Sequence, residues 1–425
     1  MTRLCEVLFW LGVSWLGYVY VGYPLLLWFV GLFRSFRPDV RDSFLPRVSV
    51  LISARNEQRD IGWKIAETLK WNYPEKQLEV VVASDASEDG TDAILRSVSD
   101  SRFRFLRLDE RAGKNEALNR LNELASGEIL FFTDANSHIE PDCLSRVVGY
   151  FADPRVGCVT GSERTIREGE DFVVTSGTRA FLGYESLVNT LESRLGSVLV
   201  CDGSIFCIRR SLFTKLQPDL ANDFELPVNI GAKGRAILFD PSASSYEKAT
   251  NDPREEFRRK RRICCQGTIG FWRLRDRLHG MRAWQFFSRK LLRWSGAVPL
   301  VLILLSSLWL ARNQWYAIAL LLETVFYGSA LWGWRLAARR LQASGVSTFP
   351  FYFVMVNVAA MTGVIDAAFG KRFSVWESPA NSRGSREGAT QEKERRAGES
   401  SILRSEALSA AENACVELQL EKKRP

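Results

Sequence analysis

The chain has 425 residues, 46% of them hydrophobic, and a net charge of +8 at pH 7, so it can hold one large domain or two ordinary ones around a sizeable core. Much of the basic excess sits beside apolar runs, where anionic lipid heads are the simpler partner, and nucleic acid is not expected. Eight cysteines are scattered without a Cys-x-x-Cys pair, which argues against disulfides and structural zinc in a cytosolic domain.

In chain order, residues 1–33 hold an uncharged run from Val7 to Phe33, long enough to cross a hydrocarbon core of roughly 30 Å. The run is longer than a signal peptide, contains Trp10, Trp15 and Trp28, and lacks an Ala-x-Ala ending, so it is read as a retained transmembrane anchor. Arg34, Arg37, Arg41 and Arg47 follow it and only Arg3 precedes it, which places the next segment in the cytosol.

Residues 34–280 read as an α/β domain. Val48–Ser53, Leu78–Ala83, Phe103–Leu108 and Ile129–Thr133 are expected strands separated by amphipathic stretches, a pattern of a mainly parallel sheet with helices on both faces. Ligands of such sheets gather beyond the carboxyl ends of the strands. Polar clusters fall there: Arg55-Asn56-Glu57, the stretch from Ser84 to Thr91, and Asp134-Ala135-Asn136. A dinucleotide-binding domain would need Gly-x-Gly-x-x-Gly after its first strand, where this chain has Ala-Arg-Asn-Glu.

Residues 281–293 interleave Trp284, Phe286, Phe287, Leu291 and Leu292 with Arg282, Arg289, Lys290 and Arg293, the pattern of an interfacial amphipathic helix. Residues 294–370 hold three further apolar runs, near Trp294–Ala311, Trp315–Trp334 and Phe349–Phe369. Glu323, Asn357 and Asp366 lie in or at the edge of these runs, where polar groups face a partner or a path. Residues 371–425 are charged and poor in large apolar side chains, a disordered tail with a short helix expected near 405–420. The side of the membrane on which it ends stays open.

Several segments carry chemistry. Asp85 opens Asp-Ala-Ser-Glu-Asp-Gly-Thr, Gly113 and Lys114 open Gly-Lys-Asn-Glu-Ala-Leu-Asn, Asp134 and Asn136 flank Ala135, and Asp223 stands in Asn-Asp-Phe-Glu-Leu-Pro. Each has a plainer reading: a strand-to-helix turn at Asp85, a helix-start pair at Asn56 and Glu57, a solvated lysine at Lys114, a solvated loop at Asp134, and a helix cap at Asp223. Glu185 and Glu192 share one helical face that solvation explains almost as well as function does. His138 reads as a surface histidine.

In this order the motifs resemble the family 2 glycosyltransferases, the inverting enzymes that include synthases of cellulose, chitin, hyaluronan and poly-N-acetylglucosamine. The resemblance runs from Val48 to about Glu377. It implies a GT-A nucleotide-sugar-binding domain flanked by transmembrane helices, in a multi-pass protein of the cell inner (plasma) membrane. It implies that Asn56, Glu57, Asp85, Lys114 and Asp134 hold the donor, a nucleotide-diphosphate sugar expected to be a uridine diphosphate sugar. Asp134 and Asn136 would hold Mn²⁺ or Mg²⁺ against its diphosphate, neutralising charge on the leaving group.

Asp223 is then the general base that takes the acceptor's proton, and with only two histidines in the chain a carboxylate is also the default on composition. Gly203, Ser204 and Asn222 line the acceptor, a glycan or a lipid-linked saccharide. Arg262, in a basic cluster that can equally dock on lipid, aids the leaving group. An export or assembly partner would complete such a system.

Three departures stand out. Ser84 occupies a position where many members carry an aspartate, Asn136 replaces a second carboxylate, and the region from Arg258 to Gly267 lacks Gln-x-x-Arg-Trp, which leaves processivity open. They motivate the rival reading of a catalytically silent scaffold in an envelope polysaccharide complex. A nucleotidyltransferase is the rival enzyme, with less support in the distal motifs.

Overall fold

The computed structural model describes residues 1–165, 173–247, 252–339 and 345–373, together with Thr250 and Leu341. The expected short helix near 405–420 lies outside the described residues. Helix α1 (Thr2–Gly17) passes through a π turn at Tyr18–Gly22 into α2 (Tyr23–Phe33), making one apolar helix of 32 residues.

The middle segment then alternates: β1 (Val48–Ala54), α3 (Ile61–Thr68), β2 (Leu78–Asp85), α4 (Thr91–Arg96), β3 (Phe103–Leu108), α5 (Lys114–Leu124) and β4 (Ile129–Phe132). It continues through β5 (His138–Ile139), α6 (Cys143–Gly149), β6 (Val156–Thr165), α7 (Val173–Ser193), β7 (Phe206–Arg209), α8 (Asn222–Ala232) and β8 (Ala236–Glu247). The strands form one sheet in the order β3-β2-β1-β4-β7-β6-β8-β5.

The four expected strands are present close to their predicted limits and are mutually parallel. Their near-continuous Val, Ile, Leu and Phe content follows from burial on both faces. Alternate side chains go to opposite sides. Val48, Val50, Ile52, Val80, Val82, Ile129 and Phe131 enter one cluster, while Leu51, Val81, Ala83, Leu130 and Phe132 enter the other.

The other half of the sheet is mixed. β7 runs antiparallel to β4 and β6, β5 runs antiparallel to β8, and β6 and β8 are parallel. The sequence pattern leaves these four strands unassigned for physical reasons. β5 and β7 are very short, and β8 holds Pro241 where its pairing with β6 shifts register.

After the sheet, α9 (Pro253–Leu274) leads to α10 (Met281–Phe286), a π turn at Phe287–Leu291, and α11 (Leu292–Trp294). Then follow α12 (Ala297–Trp309), α13 (Gln314–Ala338) and α14 (Gly345–Ala368). Among the described residues, three helices are long and apolar enough to cross a membrane: Thr2–Phe33, Gln314–Ala338 and Gly345–Ala368. A fourth is counted if Met281–Trp294 and Ala297–Trp309, bent by 55°, form one span.

The segment from α10 to α11 differs from the lipid-facing helix expected of it. Arg289 is 3% exposed and donates to Glu192 and Glu185 of α7, each at 2.6 Å, and Arg293 bonds Glu185 as well. Glu192 also accepts the Tyr23 hydroxyl of α2 at 2.6 Å and the Leu199 amide at 3.1 Å. Glu185 and Glu192 are therefore interior anchors and not a solvated face. Arginines beside a membrane turn inward when protein carboxylates can satisfy their planar forks.

Glu192 is fully buried, so Arg289→Ala leaves a carboxylate without its cation inside the protein. The expected loss is about 3–5 kcal/mol, seen as a lowered unfolding midpoint of the purified protein in detergent. Arg275→Ala, at an exposed pair with Asp276, should stay within about 0.5 kcal/mol of the parent.

Candidate active site

The carboxyl ends of β1, β2 and β4 meet at a pocket lined by Ser53, Arg55, Asp85, Lys114, Asp134 and Ala135. The two non-glycine residues with positive φ among those described, Asn56 at 55° and Ala86 at 49°, follow β1 and β2 at this edge. Such backbone is costly outside glycine and persists where surrounding bonds over-determine it. Those bonds are present. Arg55 donates to the Asp85 carbonyl at 2.7 Å, the Ala86 carbonyl at 3.0 Å and Glu88 at 3.1 Å. The Asn56 side chain accepts the Glu88 amide at 2.9 Å, and the amide of Glu57 donates to Thr91 at 2.9 Å.

Asp85 is 4% exposed. Its two carboxylate oxygens accept the amides of Ala112 at 2.6 Å and Gly113 at 3.0 Å. Gly113, at φ 90°, opens α5 in a conformation that suits glycine, and this places Lys114 at the mouth of the pocket. Lys114 Nζ donates to Asp134 Oδ1 at 2.6 Å. Burial opposes the lysine charge, but Asp134, Asp223 and Glu247 outweigh it and raise its pKa.

Asp223 faces the same charges from the first turn of α8. Its carboxylate has no hydrogen-bond or ion-pair partner among the described residues, whereas its carbonyl accepts the Cys201 amide at 2.9 Å. Burial pushes the Asp223 carboxyl above its ordinary value, Lys114, Lys290 and Arg262 pull it back, and Asp134 adds to the rise. A Cβ at Gly203 would lie 3.3 Å from Asp223 Oδ2, so the backbone of that loop forms a wall against the carboxylate.

Arg262, half-buried on α9, feels Asp223 and Asp134 together, and burial beside Arg259 lowers its pKa. Of the five consecutive cations from Arg258 to Arg262, Arg258 is exposed, Arg259 pairs with Glu163 at 3.0 Å, Lys260 with Glu256 at 3.4 Å and Arg261 with Asp366 at 2.6 Å. Arg262 has no such pair among the described residues.

The structure thus gathers Asp85, Lys114, Asp134, Asp223, Gly203 and Arg262. It turns others inward. Ser204 donates to Asp202 at 2.7 Å and lies 2.5 Å from the Ser245 hydroxyl. Asn56 is bound to the Glu88 amide, and Asn222 is buried with an amide nitrogen that has no partner among the described residues. Asn136 is half-buried on the loop after β4. His138 stacks on Trp63 with ring centres 3.8 Å apart and contacts Glu67 at 3.1 Å, in keeping with a surface histidine.

Sequence reasoning missed Arg55 and a second acidic group behind the cleft. Burial and Glu163 push Asp202 up to about 7, and burial with Glu163, Asp134 and Asp202 holds Glu247 well above the carboxylate range. No spacing rule links Glu163, Asp202 and Glu247, which come from β6, the loop before β7 and the end of β8. Among the described residues no three His, Cys, Asp or Glu side chains gather as a metal site. Asp134 and Asn136 nevertheless offer hard oxygen donors, and the repulsion Asp134 exerts on Asp223 and Glu247 is one that a divalent cation would relieve.

Parallel strands delivering an aspartate, a lysine and a further Asp-x-Asn to one edge, followed by a mixed half-sheet, define the GT-A architecture of glycosyltransferases. The family model of Glycosyl transferase family 2 matches residues 49–217, and this segment is similar to that family. The chain is 27% identical over 215 residues to the probable glycosyltransferase YdaM of Bacillus subtilis, covering 48% of this chain and 51% of that protein. It is 31% identical over 182 residues to a beta-monoglucosyldiacylglycerol synthase of Nostoc sp., covering 42% and 38%.

Among solved structures it resembles the mannosyltransferase PcManGT from Pyrobaculum calidifontis, determined with GDP-Man and Mn²⁺. The TM-score is 0.63 at 22% identity, covering 83% of this chain and 99% of that one. The chain spans about half or less of the length of these curated relatives.

Because Asp85 satisfies the buried Gly113 amide, Asp85→Ala should cost about 1–3 kcal/mol in thermal unfolding. An unchanged midpoint would remove the carboxylate as the anchor of the segment before α5.

Proposed function

We propose that the protein is a membrane-bound, inverting glycosyltransferase, moving a sugar from a nucleotide diphosphate, a uridine diphosphate sugar in the first instance, to a glycan or lipid-linked acceptor. The observation that carries this reading is the unpaired Asp223 carboxylate, with its raised pKa, set across the cleft from Lys114 and Asp134. A carboxylate whose pKa is raised is the stronger base toward an acceptor hydroxyl.

In this reading residues 34–280 form the catalytic domain on the cytosolic side of a multi-pass inner-membrane protein. Asp85 keeps the segment before α5 closed over the nucleotide, with Asn56 and Glu57 shaping the adjoining wall. Lys114 exchanges its bond to Asp134 for the donor's phosphate. Asp134 and Asn136 would hold Mn²⁺ or Mg²⁺, which supplies positive charge to the departing diphosphate. Arg262 adds a second cation on that side. Gly203 allows an acceptor hydroxyl to approach Asp223, and the Asn222 amide is available to orient it. Asp223 then removes the hydroxyl proton as the acceptor oxygen attacks the anomeric carbon, which gives inversion.

Nucleoside diphosphate release from protein in vesicles, with a panel of donors, tests this. Asp223→Asn is expected to lower kcat by about 10²–10⁴ with donor binding retained. Chelation of divalent metal should abolish release, and added Mn²⁺ or Mg²⁺ should restore it. Donor binding without release in the parent protein would support the scaffold reading instead.

The pH profile carries a separate expectation. The base works deprotonated and burial raises its pKa, so activity should fall on acidification at a pH above the ordinary aspartate value of about 3.9. An acid limb at or below that value would remove Asp223 as the base.

A further inference from the structure

Asp223 has no side-chain partner among the described residues, so its place depends on the backbone that leads into α8. That backbone, residues 216–221, is fastened to α5. Asn115 is 6% exposed, and its side-chain nitrogen donates twice into the loop, to the Gln217 carbonyl at 2.5 Å and the Leu220 carbonyl at 2.8 Å. One turn further on, Asn119 accepts the Leu216 amide at 2.8 Å and donates to the Leu216 carbonyl at 3.1 Å. Residues four apart share one face of a helix, so α5 presents two buried side-chain amides to a single loop.

The loop is also held by α8, α9 and the residues after α14. Asp219, likewise 6% exposed, accepts two bonds from Arg273 of α9 at 2.6 and 2.7 Å and one from Arg372 at 2.9 Å. Gln217 accepts from Arg273 at 2.7 Å through its side chain and donates its backbone amide to Glu225 of α8 at 3.0 Å. Ala221 then opens α8, its carbonyl accepting the amides of Phe224 at 3.1 Å and Glu225 at 2.9 Å. Asp223 lies in that first turn.

The first turn of α5 carries Lys114 as well, bonded to Asp134 and lining the pocket at the strand ends. Asn115 is the next residue. Two adjacent side chains therefore serve different parts of the site, one reaching the carboxylate after β4 and the other the loop ahead of α8. We propose that Asn115 is a positioning residue for sugar transfer, fixing the separation between the donor-side cation Lys114 and the base Asp223. A base must lie within hydrogen-bond reach of the proton it removes, and a misplacement of about 1 Å can cost about a hundredfold in rate. The inference rests on Asp223 acting as the base.

The test uses the full chain in nanodiscs. Asn115→Ala is expected to lower kcat for nucleoside diphosphate release about 10–100-fold, while binding of uridine diphosphate with Mn²⁺ stays at the parental affinity. Placed in Asp223→Asn, the same change should cost nothing more, because residues that act as a unit are not additive. Losses that multiply overturn the proposal, since Asn115 would then act apart from the base. A parental kcat in Asn115→Ala overturns it too, as does a loss confined to uridine diphosphate binding. Amide hydrogen exchange supplies a readout that needs no turnover: residues 216–223 should exchange faster in Asn115→Ala, with β1 and β2 unchanged, and equal exchange in that loop overturns the proposal. Asn115→Ser, which keeps one donor, carries the same comparisons if the alanine variant does not fold. Release by Asp223→Asn at the parental rate removes the base and this inference with it, whereas a loss there with none in Asn115→Ala removes the positioning role alone.

Discussion

The buried meeting of Glu192 with Arg289 and Tyr23 ties the membrane helices to the sheet. A buried ion pair contributes little net stability when its desolvation is counted, but removing one partner is severe. Its effect here is on geometry. It joins α2, α7 and the α10–α11 segment at one point, and the segment so held packs beside α8, whose first turn carries Asp223. The helix that carries Asp223 is thus linked to the apolar helices through a polar contact surrounded by apolar packing.

Within the cleft the balance of charge is the governing quantity. Asp134 repels both Asp223 and Glu247, and Lys114 meets only part of that charge. A site of this kind favours ligands that bring both signs, as a diphosphate with its cation does. Arg259 belongs to the structural side of the balance through Glu163, and Arg262 remains available. The distinction cannot be drawn from the sequence, because the same basic residue type fills positions with opposite roles one turn apart.

How far the chain is legible depends on the range of the interaction involved. Residues from Val48 to Thr133 follow short rules: apolar runs form strands, polar clusters end them, and both faces are covered. Asp85 and Asp134 fall in polar clusters that strand order places at one edge, Lys114 is singled out only by the resemblance, and the three line one pocket. Asn56 and Ser204 were also singled out, but their side chains hold the walls together. Strands β5 to β8 escaped because their pairing is non-local and interrupted by a register shift at Pro241. Arg289 and Arg293 looked like lipid-facing residues because their partners on α7 are about a hundred positions away.

From the residues alone came the apolar helices, the alternating domain and the set of acidic and basic groups at the strand ends, since each depends on composition and near-neighbour periodicity. The tertiary structure decided which charges are neutralised: Glu185 and Glu192 turned inward, Lys114 drawn to Asp134, and Asp223 without a side-chain partner among the described residues. Charge pairing depends on distance in space and on exclusion of water, and neither is encoded at any fixed spacing along the chain.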